Sequence, residues 1–250
     1  MPSVTGYKAI VLDYAFVRFY RFSLMSFKSL FKFTCIILAC QFSNLGFAQD
    51  AETEGEANGW SLKRDKDGIQ VFTRDVEDSK FDEVRGVMVI EARLESVVAL
   101  IRDGEACPDW ADLCEESIIL EMVSEAEYYG YNLNDVPWPV SDRDAITHVT
   151  WWQDPDTKTV MMKAQAIESD RVPKRRGALR MEDSVTGWEF TQLENGLLQV
   201  VSTGHIDPAG PTPAWVTNMM LVDSPFKTME GLREIMETDN YADVEFEFIQ

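Results

Sequence analysis

The residues that could carry out catalysis are few and widely separated. The chain has 2 histidines, His148 and His205, and they fall on separate predicted strands. The sequence contains no G-x-S-x-G nucleophile motif, no H-E-x-x-H metal motif and no phosphate-binding glycine loop. Carboxylates are abundant, but no pair stands out as a general acid with its base. We therefore expect no catalytic residue, no metal site and no cofactor.

The two cysteines of the motif ACPDWADLC, Cys107 and Cys114, could form a disulfide. An even pair this close in sequence favours a bond in an oxidising compartment. Along one straight helix, seven residues would separate the two cysteines by roughly 10 Å, which is too far to bridge. The bond therefore requires Pro108 to lie in a turn that leads into a short helix. The alternative is two buried free thiols.

An oxidising compartment is also indicated by the N-terminal sequence. From Met25, lysines at 28 and 32 precede the apolar run Phe33–Phe42, and a small-residue site, Gly46-Phe47-Ala48, follows. This order is typical of a secretory signal peptide over residues 25–48, and the apolar run is too short to span a bilayer. We predict cleavage after Ala48 and a location in the periplasm or outside the cell.

The flanking segments complete this interpretation. Residues 1–24 are interpreted as upstream sequence read from a wrong start codon. Residues 49–59 are acidic and small, which predicts a flexible lead-in to a single domain over residues 60–250. An alternative is a lipoprotein in which Cys40 is acylated after cleavage.

The acidic composition excludes one class of partner. The net charge is −20, and loss of residues 1–48, with five basic residues and one acidic residue, would bring it to −24. Such a charge repels nucleic acid and anionic bilayers. We expect no nucleic-acid partner.

The pattern of residues 60–250 predicts many antiparallel strands, one early helix and one long final helix, which is an α+β fold. Trp60–Lys66 is interpreted as the end of a helix, and Asp67-Gly68 as a turn. LESVVALIRD has helical spacing, with apolar residues at 94, 97, 98 and 101. The predicted strands are IQVFTR, FDEVRGVMVIEA, SIILEMVSEAEYYGYNLND (one bent strand or two), AITHVTWW, TVMMKAQAIE and a hairpin in GWEFTQLENGLLQVVSTGHID.

The final helix is predicted to begin at Pro213, with Thr212 as its N-cap. Pro225 should kink it or divide it into two segments. The predicted helix carries one apolar stripe, which consists of Trp215, Met219, Val222, Phe226, Met229, Leu232 and Met236. Such a stripe most often packs on a sheet, but its methionines also suit a surface that holds varied hydrophobic ligands.

The order of several motifs resembles START domains, the lipid-transfer domains related to the steroidogenic acute regulatory protein, and their bacterial members in particular. The resemblance covers roughly residues 60–236. It is carried by DGIQVFTR, Trp110 before SIILE, PWPVSDRD, VPKRRGALR with Pro173, Gly177 and Arg180, Gly187-Trp188, DPAGPTPAWVTN and SPFKTMEGLR.

The resemblance implies a helix-grip fold, in which a curved antiparallel sheet wraps around a long C-terminal helix. It also implies one lipid or sterol-like ligand in a cavity between them, carried by a monomer in transient contact with membranes. The expected ligand-binding residues are Trp110, Trp138, Arg143, Thr147, Val149, Trp188, Trp215, Met219, Val222 and Phe226. Alternatives are an aromatase/cyclase-like enzyme of the same broad fold, or a protein that senses a lipid or binds a partner.

The corner PWPVSDRD is expected to fix the mouth of the cavity. Pro137 and Pro139 would hold the backbone so that Trp138 seals one end. Arg143, Ala145, Thr147 and Val149 would face inward, since alternate strand residues share a face. A buried arginine must be paired, and because Asp144 would point away we predict that Arg143 staples the corner through Asp142 or Asp135, the alternative being a ligand head group. Members of the family often carry a second charge where Val149 stands, so the pocket should be unusually apolar.

Overall fold

The structure is a computed structural model that describes residues 59–213, 216–217, 219–238 and 241–250. Residues 1–24, the predicted signal peptide, Cys40, the lead-in up to residue 58 and Trp215 lie outside the described residues. Within the described segments, no helix has the length and hydrophobicity needed to cross a bilayer.

In the part of the chain that the structure describes, ten strands form one sheet, and all neighbouring strand pairs but one are antiparallel. The order across the sheet is β1-β2-β3-β10-β9-β7-β6-β5-β4, and β8 pairs in parallel with β6. The strands are β1 (Ser61–Lys66), β2 (Ile69–Arg74), β3 (Glu83–Ile90), β4 (Cys114–Ser124), β5 (Glu127–Asn134), β6 (Asp142–Gln153), β7 (Val160–Ala166), β8 (Ala178–Arg180), β9 (Ser184–Gln192) and β10 (Leu198–Ile206).

The first strand corrects one prediction. Ser61–Lys66 is a strand and not the end of a helix, and it pairs with β2 through the register Lys66↔Ile69. The reason is the turn between them: Asp67 and Gly68 both have positive φ, 53° and 76°. A two-residue turn of this kind aligns its flanking segments as a hairpin. The turn itself was predicted correctly.

The helices lie on one face of the sheet. Helix α1 (Leu94–Arg102) buries Leu94, Val97, Val98 and Leu100, and the short helix α2 (Cys107–Trp110) has Pro108 in its first turn. The final helix α3 (Ser224–Met236) follows a π-helical turn at Met219–Asp223. Pro225 lies in the first turn of α3, as expected if proline interrupts the hydrogen-bond ladder.

Helix α3 packs closely on the sheet and on α2. A Cβ at Gly86 of β3 would lie 2.4 Å from Met229 Sδ, and a Cβ at Gly231 would lie 2.3 Å from the Trp110 carbonyl oxygen. Phe226, Met229 and Leu232 are buried in the core with Val97 and Val98 of α1. A smaller cluster of Tyr131, Leu133 and Ile146 forms on the other face of the sheet. The predicted α+β helix-grip fold is confirmed.

Candidate functional site

Two adjoining cavities lie between the sheet and the helices α2 and α3. Their volumes are about 300 Å³ and 240 Å³. Together they fall in the range of small-molecule sites, and their walls are largely apolar. The wall residues that the two cavities share are Asp112, Asn134, Met181, Thr186, Trp188, Ile206 and Thr228.

Strand β6 supplies the inward residues that its alternation predicts. Ala145, Thr147 and Val149 line the first cavity, and Arg143 lines the second. Val149 and Ala145 are 4% exposed. The side chains therefore face the cavity as expected, while a contact with ligand remains a prediction.

Arg143 is held by main-chain carbonyls and not by a carboxylate. Its side chain is 1% exposed. Its Nε donates to the Pro208 oxygen at 2.8 Å, and its other nitrogens donate to Ser141 O, Ala209 O and the Thr212 hydroxyl. Burial lowers the pKa of Arg143, and the negative charge of Asp142 partly offsets this effect.

The predicted salt bridge at the corner is therefore wrong for the described residues, although the corner is stapled. The physical reason lies in the segment after β10, where Ala209 and Gly210 have φ values of 55° and 66°. This backbone conformation turns the carbonyls of 208 and 209 toward the guanidinium. Peptide dipoles replace the counter-ion.

Asp144, the next residue, points to the opposite face as predicted. Its two carboxylate oxygens accept from Nε and Nη2 of Arg180, each at 2.9 Å. The Tyr131 hydroxyl donates to the same carboxylate at 3.2 Å. The hydrogen bond to Asp144 raises the pKa of Arg180. This buried pair fixes β8 beside β6 on the face away from the cavities.

The expected role of Trp138 is contradicted. Its side chain is 90% exposed and lines neither cavity. Val140 N–H donates to the Pro137 carbonyl, which places Trp138 and Pro139 at the tip of a turn. Val136, which is 3% exposed, lines the second cavity where the tryptophan was expected.

Trp110 and Trp188 form an aromatic wall of the first cavity. Their ring centres lie 6.3 Å apart in an edge-to-face arrangement, and Trp188 stacks on Phe190 at 6.1 Å. Trp110 is 8% exposed and belongs to α2. The structure brings both predicted tryptophans into the site.

The residues of the apolar stripe that the structure describes do not line the cavities. Met219, Val222 and Phe226 are absent from both walls, while Met220, Ser224, Pro225 and Thr228 are present. The π-helical turn Met219–Asp223 changes the angle between successive side chains, so a regular 3.6-residue count misassigns the inward face. Phe226 instead packs in the core under the Arg64 guanidinium, whose Cζ lies 3.6 Å from the ring centre.

The Cys107–Cys114 disulfide is present, with the two Cα atoms 6.0 Å apart. Pro108 opens the short helix α2, as the predicted bond required. Both cysteines border the first cavity. The disulfide thus ties α2, which carries Trp110, to the start of β4.

Several wall residues were missed in the sequence. Arg102 ends helix α1, and Tyr128 alternates along β5. The C-terminal segment 241–250 was also missed: Phe246, Phe248 and Ile249 pack against the core. The alternation in VEFEF was a signal for an extended segment with one apolar side.

Among the described residues, no cluster of His, Cys, Asp and Glu could hold a metal ion.

A curved antiparallel sheet that packs on a C-terminal helix and encloses a cavity defines a ligand-binding class of fold. The sequence profile of the START domain matches residues 48–239. The chain therefore belongs to the START domain family.

The relatives agree with this assignment. An uncharacterized protein from Pseudomonas aeruginosa is 32% identical over 181 residues, which are 72% of this chain and 88% of that protein. The STAR-related lipid transfer protein from Xanthomonas axonopodis is 32% identical, with a TM-score of 0.65 over 72% of this chain and 99% of that chain. Human STARD10 shares the fold at 21% identity, with a TM-score of 0.64 over 76% of this chain and 78% of that chain.

Proposed function

We propose that the protein binds one hydrophobic ligand, a lipid or sterol-like molecule, and carries it through the periplasm as a monomer in transient contact with membranes. The observation that supports this proposal most is the pair of adjoining cavities between sheet and helices. Their walls contain Trp110, Trp188, Val149 and Met162. An apolar enclosure of this size is suited to a ligand that water solvates poorly.

Two observations support the periplasmic part of the proposal. The family match begins at residue 48, next to the predicted cleavage site after Ala48. The Cys107–Cys114 disulfide is of a kind that persists in oxidising compartments. Both observations favour a secreted domain preceded by a signal peptide.

Native mass spectrometry of the purified protein is the first test. We expect one bound hydrophobic molecule per chain. Ala164→Phe, which fills the first cavity from β7, should reduce the bound fraction. Lys163→Phe is the matched control, because this neighbouring side chain is exposed on the opposite face of β7. Equal ligand content in both variants would contradict binding in this cavity.

Transfer between vesicles tests the carrier role. A carrier should accelerate movement of the identified lipid from donor to acceptor vesicles, and Ala164→Phe should slow it. Binding without transfer would contradict transport and favour a sensor. An aromatic polyketide as the bound molecule would favour the cyclase alternative instead.

A further inference from the structure

Unpartnered polar atoms are concentrated in the wall of the first cavity. Four buried side-chain atoms lack a hydrogen-bond partner among the described residues, and three of them belong to wall residues: Arg102 Nη1, Trp110 Nε1 and Asp112 Oδ2. Buried polar groups are nearly always hydrogen-bonded, because an unmade bond costs free energy. A ligand with polar groups in this cavity would supply hydrogen-bond partners for these atoms.

Among the described residues that line the first cavity, Arg102 alone carries a formal positive charge. Its guanidinium carbon lies 5.4 Å from the ring centre of Tyr128, 5.9 Å from that of Trp151 and 5.3 Å from that of Phe246. Three aromatic faces thus hold the cation in place without using its N–H donors.

The charge of Arg102 lacks a counter-ion. No carboxylate of the described residues lies within 4.0 Å of its nitrogens. The carboxylate that acts electrostatically on Arg102 is that of Glu125. Its Oε2 already accepts a hydrogen bond from the Glu247 N–H at 2.6 Å. Arg102 is partly buried, and this burial lowers the pKa of its guanidinium. Arginine nevertheless keeps its proton in proteins.

We propose that Arg102 binds the anionic head, a carboxylate or phosphate, of an amphiphilic ligand whose apolar chain fills the cavity. This inference rests on the proposed binding of a hydrophobic ligand and specifies the class of that ligand. A guanidinium with free N–H groups matches the oxygens of either anion. Arg102 borders the first cavity, and Nη1 of its guanidinium has no hydrogen-bond partner among the described residues.

Of the other two unpartnered atoms, the one on Trp110 suits an anionic head, and the one on Asp112 restricts where that head can lie. The Trp110 indole N–H is a second donor for an acceptor oxygen of the ligand. Asp112 belongs to the wall that both cavities share, and its Oδ1 accepts from Lys227 Nζ at 3.4 Å. Its free oxygen repels an anion there, so the head belongs at the Arg102 end. The negative surface charge of the protein repels an anionic ligand only weakly, because salt screens exposed charges beyond about 8–10 Å.

The test uses protein isolated from cells that express the whole chain, stripped of bound lipid. Isothermal titration compares dodecanoate, dodecyl phosphate and uncharged dodecanol, below micelle-forming concentrations. The wild type should bind the two anions tighter than dodecanol by about tenfold or more. Arg102→Met keeps the apolar stem and should lose this preference while binding dodecanol within about twofold of the wild type. Arg102→Lys should retain part of it.

Each contrary result has a distinct meaning. Equal affinity of the wild type for dodecanoate and dodecanol would overturn the anionic head and leave hydrophobic binding intact. An equal loss of all three probes in Arg102→Met would reduce Arg102 to a packing residue. Inorganic phosphate that binds as tightly as dodecyl phosphate would identify a free-anion site. Failure of the wild type to bind any amphiphile would contradict the proposed function itself. The affinities of the wild type for the two anions and for dodecanol test the anionic head even if the Arg102 variant does not fold.

Discussion

Arg143 links the corner before β6 to the segment that leads into the final helix. Its guanidinium contacts Ser141 on one side and residues 208, 209 and 212 on the other. Hydrogen bonds to a charged group are stronger than neutral ones, and several converge here. The residue is therefore expected to matter for folding more than for ligand choice, although it borders the second cavity.

Replacement of Arg143 by lysine tests this role. The ammonium keeps the charge but lacks the planar fork, so it cannot reach all four acceptors at once. We expect a loss of about 2–4 kcal/mol in the free energy of unfolding, with or without lipid. Urea unfolding measures it, and exposed Arg176→Lys is the control. A variant that unfolds like the wild type but no longer holds lipid would show that Arg143 is a ligand for the head group.

At the scale of elements, helix α3 is the cover of the cavities. It contacts α2 through Gly231, where no side chain fits against the Trp110 carbonyl. A packed interior gives an acyl chain no path, so an element must move to admit one. Helix α3 is the candidate because it is preceded by the π-helical turn and by Gly210, a residue type that can change its backbone angles at little steric cost.

Gly231→Ala should push α3 away from α2. A Cβ 2.3 Å from a carbonyl oxygen cannot be accommodated without a shift of the helix. We expect faster exchange of bound lipid, together with a loss of about 1–3 kcal/mol of stability from overpacking. Stopped-flow exchange of a fluorescent lipid measures the rate, and exposed Glu234→Ala on the same helix is the control. An unchanged exchange rate in the folded variant would indicate that the entrance lies elsewhere.

The C-terminal segment is a second covering element. The Tyr241 hydroxyl donates to Asp103 Oδ2 at 2.8 Å, and the Tyr241 carbonyl accepts from Ser96. Burial and the hydrogen bond to Asp103 raise the pKa of Tyr241 to about 12. The segment is thereby tied to the end of α1, beside Arg102.

A pH dependence of stability follows. The unfolded phenol ionises near its ordinary pKa of about 10, whereas the folded one holds its proton to about 12. The contribution of Tyr241 is therefore complete below about pH 10 and is lost as pH rises toward about 12. Tyr241→Phe should lose less stability over this range in urea unfolding. Tyr128 and Tyr131, whose pKa values burial also raises, ionise in both proteins. Parallel stability curves would contradict the assigned contact.

Most strands and helices followed from local patterns, with β1 and β8 as exceptions, but the site did so only in part. The inward face of β6 was predictable because strand alternation is strict, and Arg143, Thr147 and Val149 obey it. The face of the final helix was not, because the π-helical turn at Met219–Asp223 has no sequence code as simple as a 3.6-residue period. Three of the four hydrogen-bond partners of Arg143, Pro208, Ala209 and Thr212, lie 65 or more residues away, beyond any local pattern. Trp138 was predicted to seal the cavity because its ring is large and apolar, but the turn that carries it exposes the ring to water.

At the scale of the whole molecule, export should define the mature chain. We expect protein recovered from a bacterial periplasm to begin at or near Gln49, because signal peptidases cleave after small residues such as Ala48. N-terminal sequencing and intact mass measure this start. Peptides spanning Lys8 to Arg21 in the folded, exported protein would contradict it. A lipid-modified N-terminus at Cys40 would instead support the lipoprotein alternative.

The cavities also give the protein a volume that depends on its cargo. Unfolding removes the two cavities, of about 300 Å³ and 240 Å³, and with them any part of their volume that water does not fill. Hydrostatic pressure favours the state of smaller volume, and the effect scales with the void lost. The lipid-free protein should thus unfold at lower pressure than the lipid-loaded one. Tryptophan fluorescence under pressure would then report how much of a sample carries ligand, without any label on the lipid.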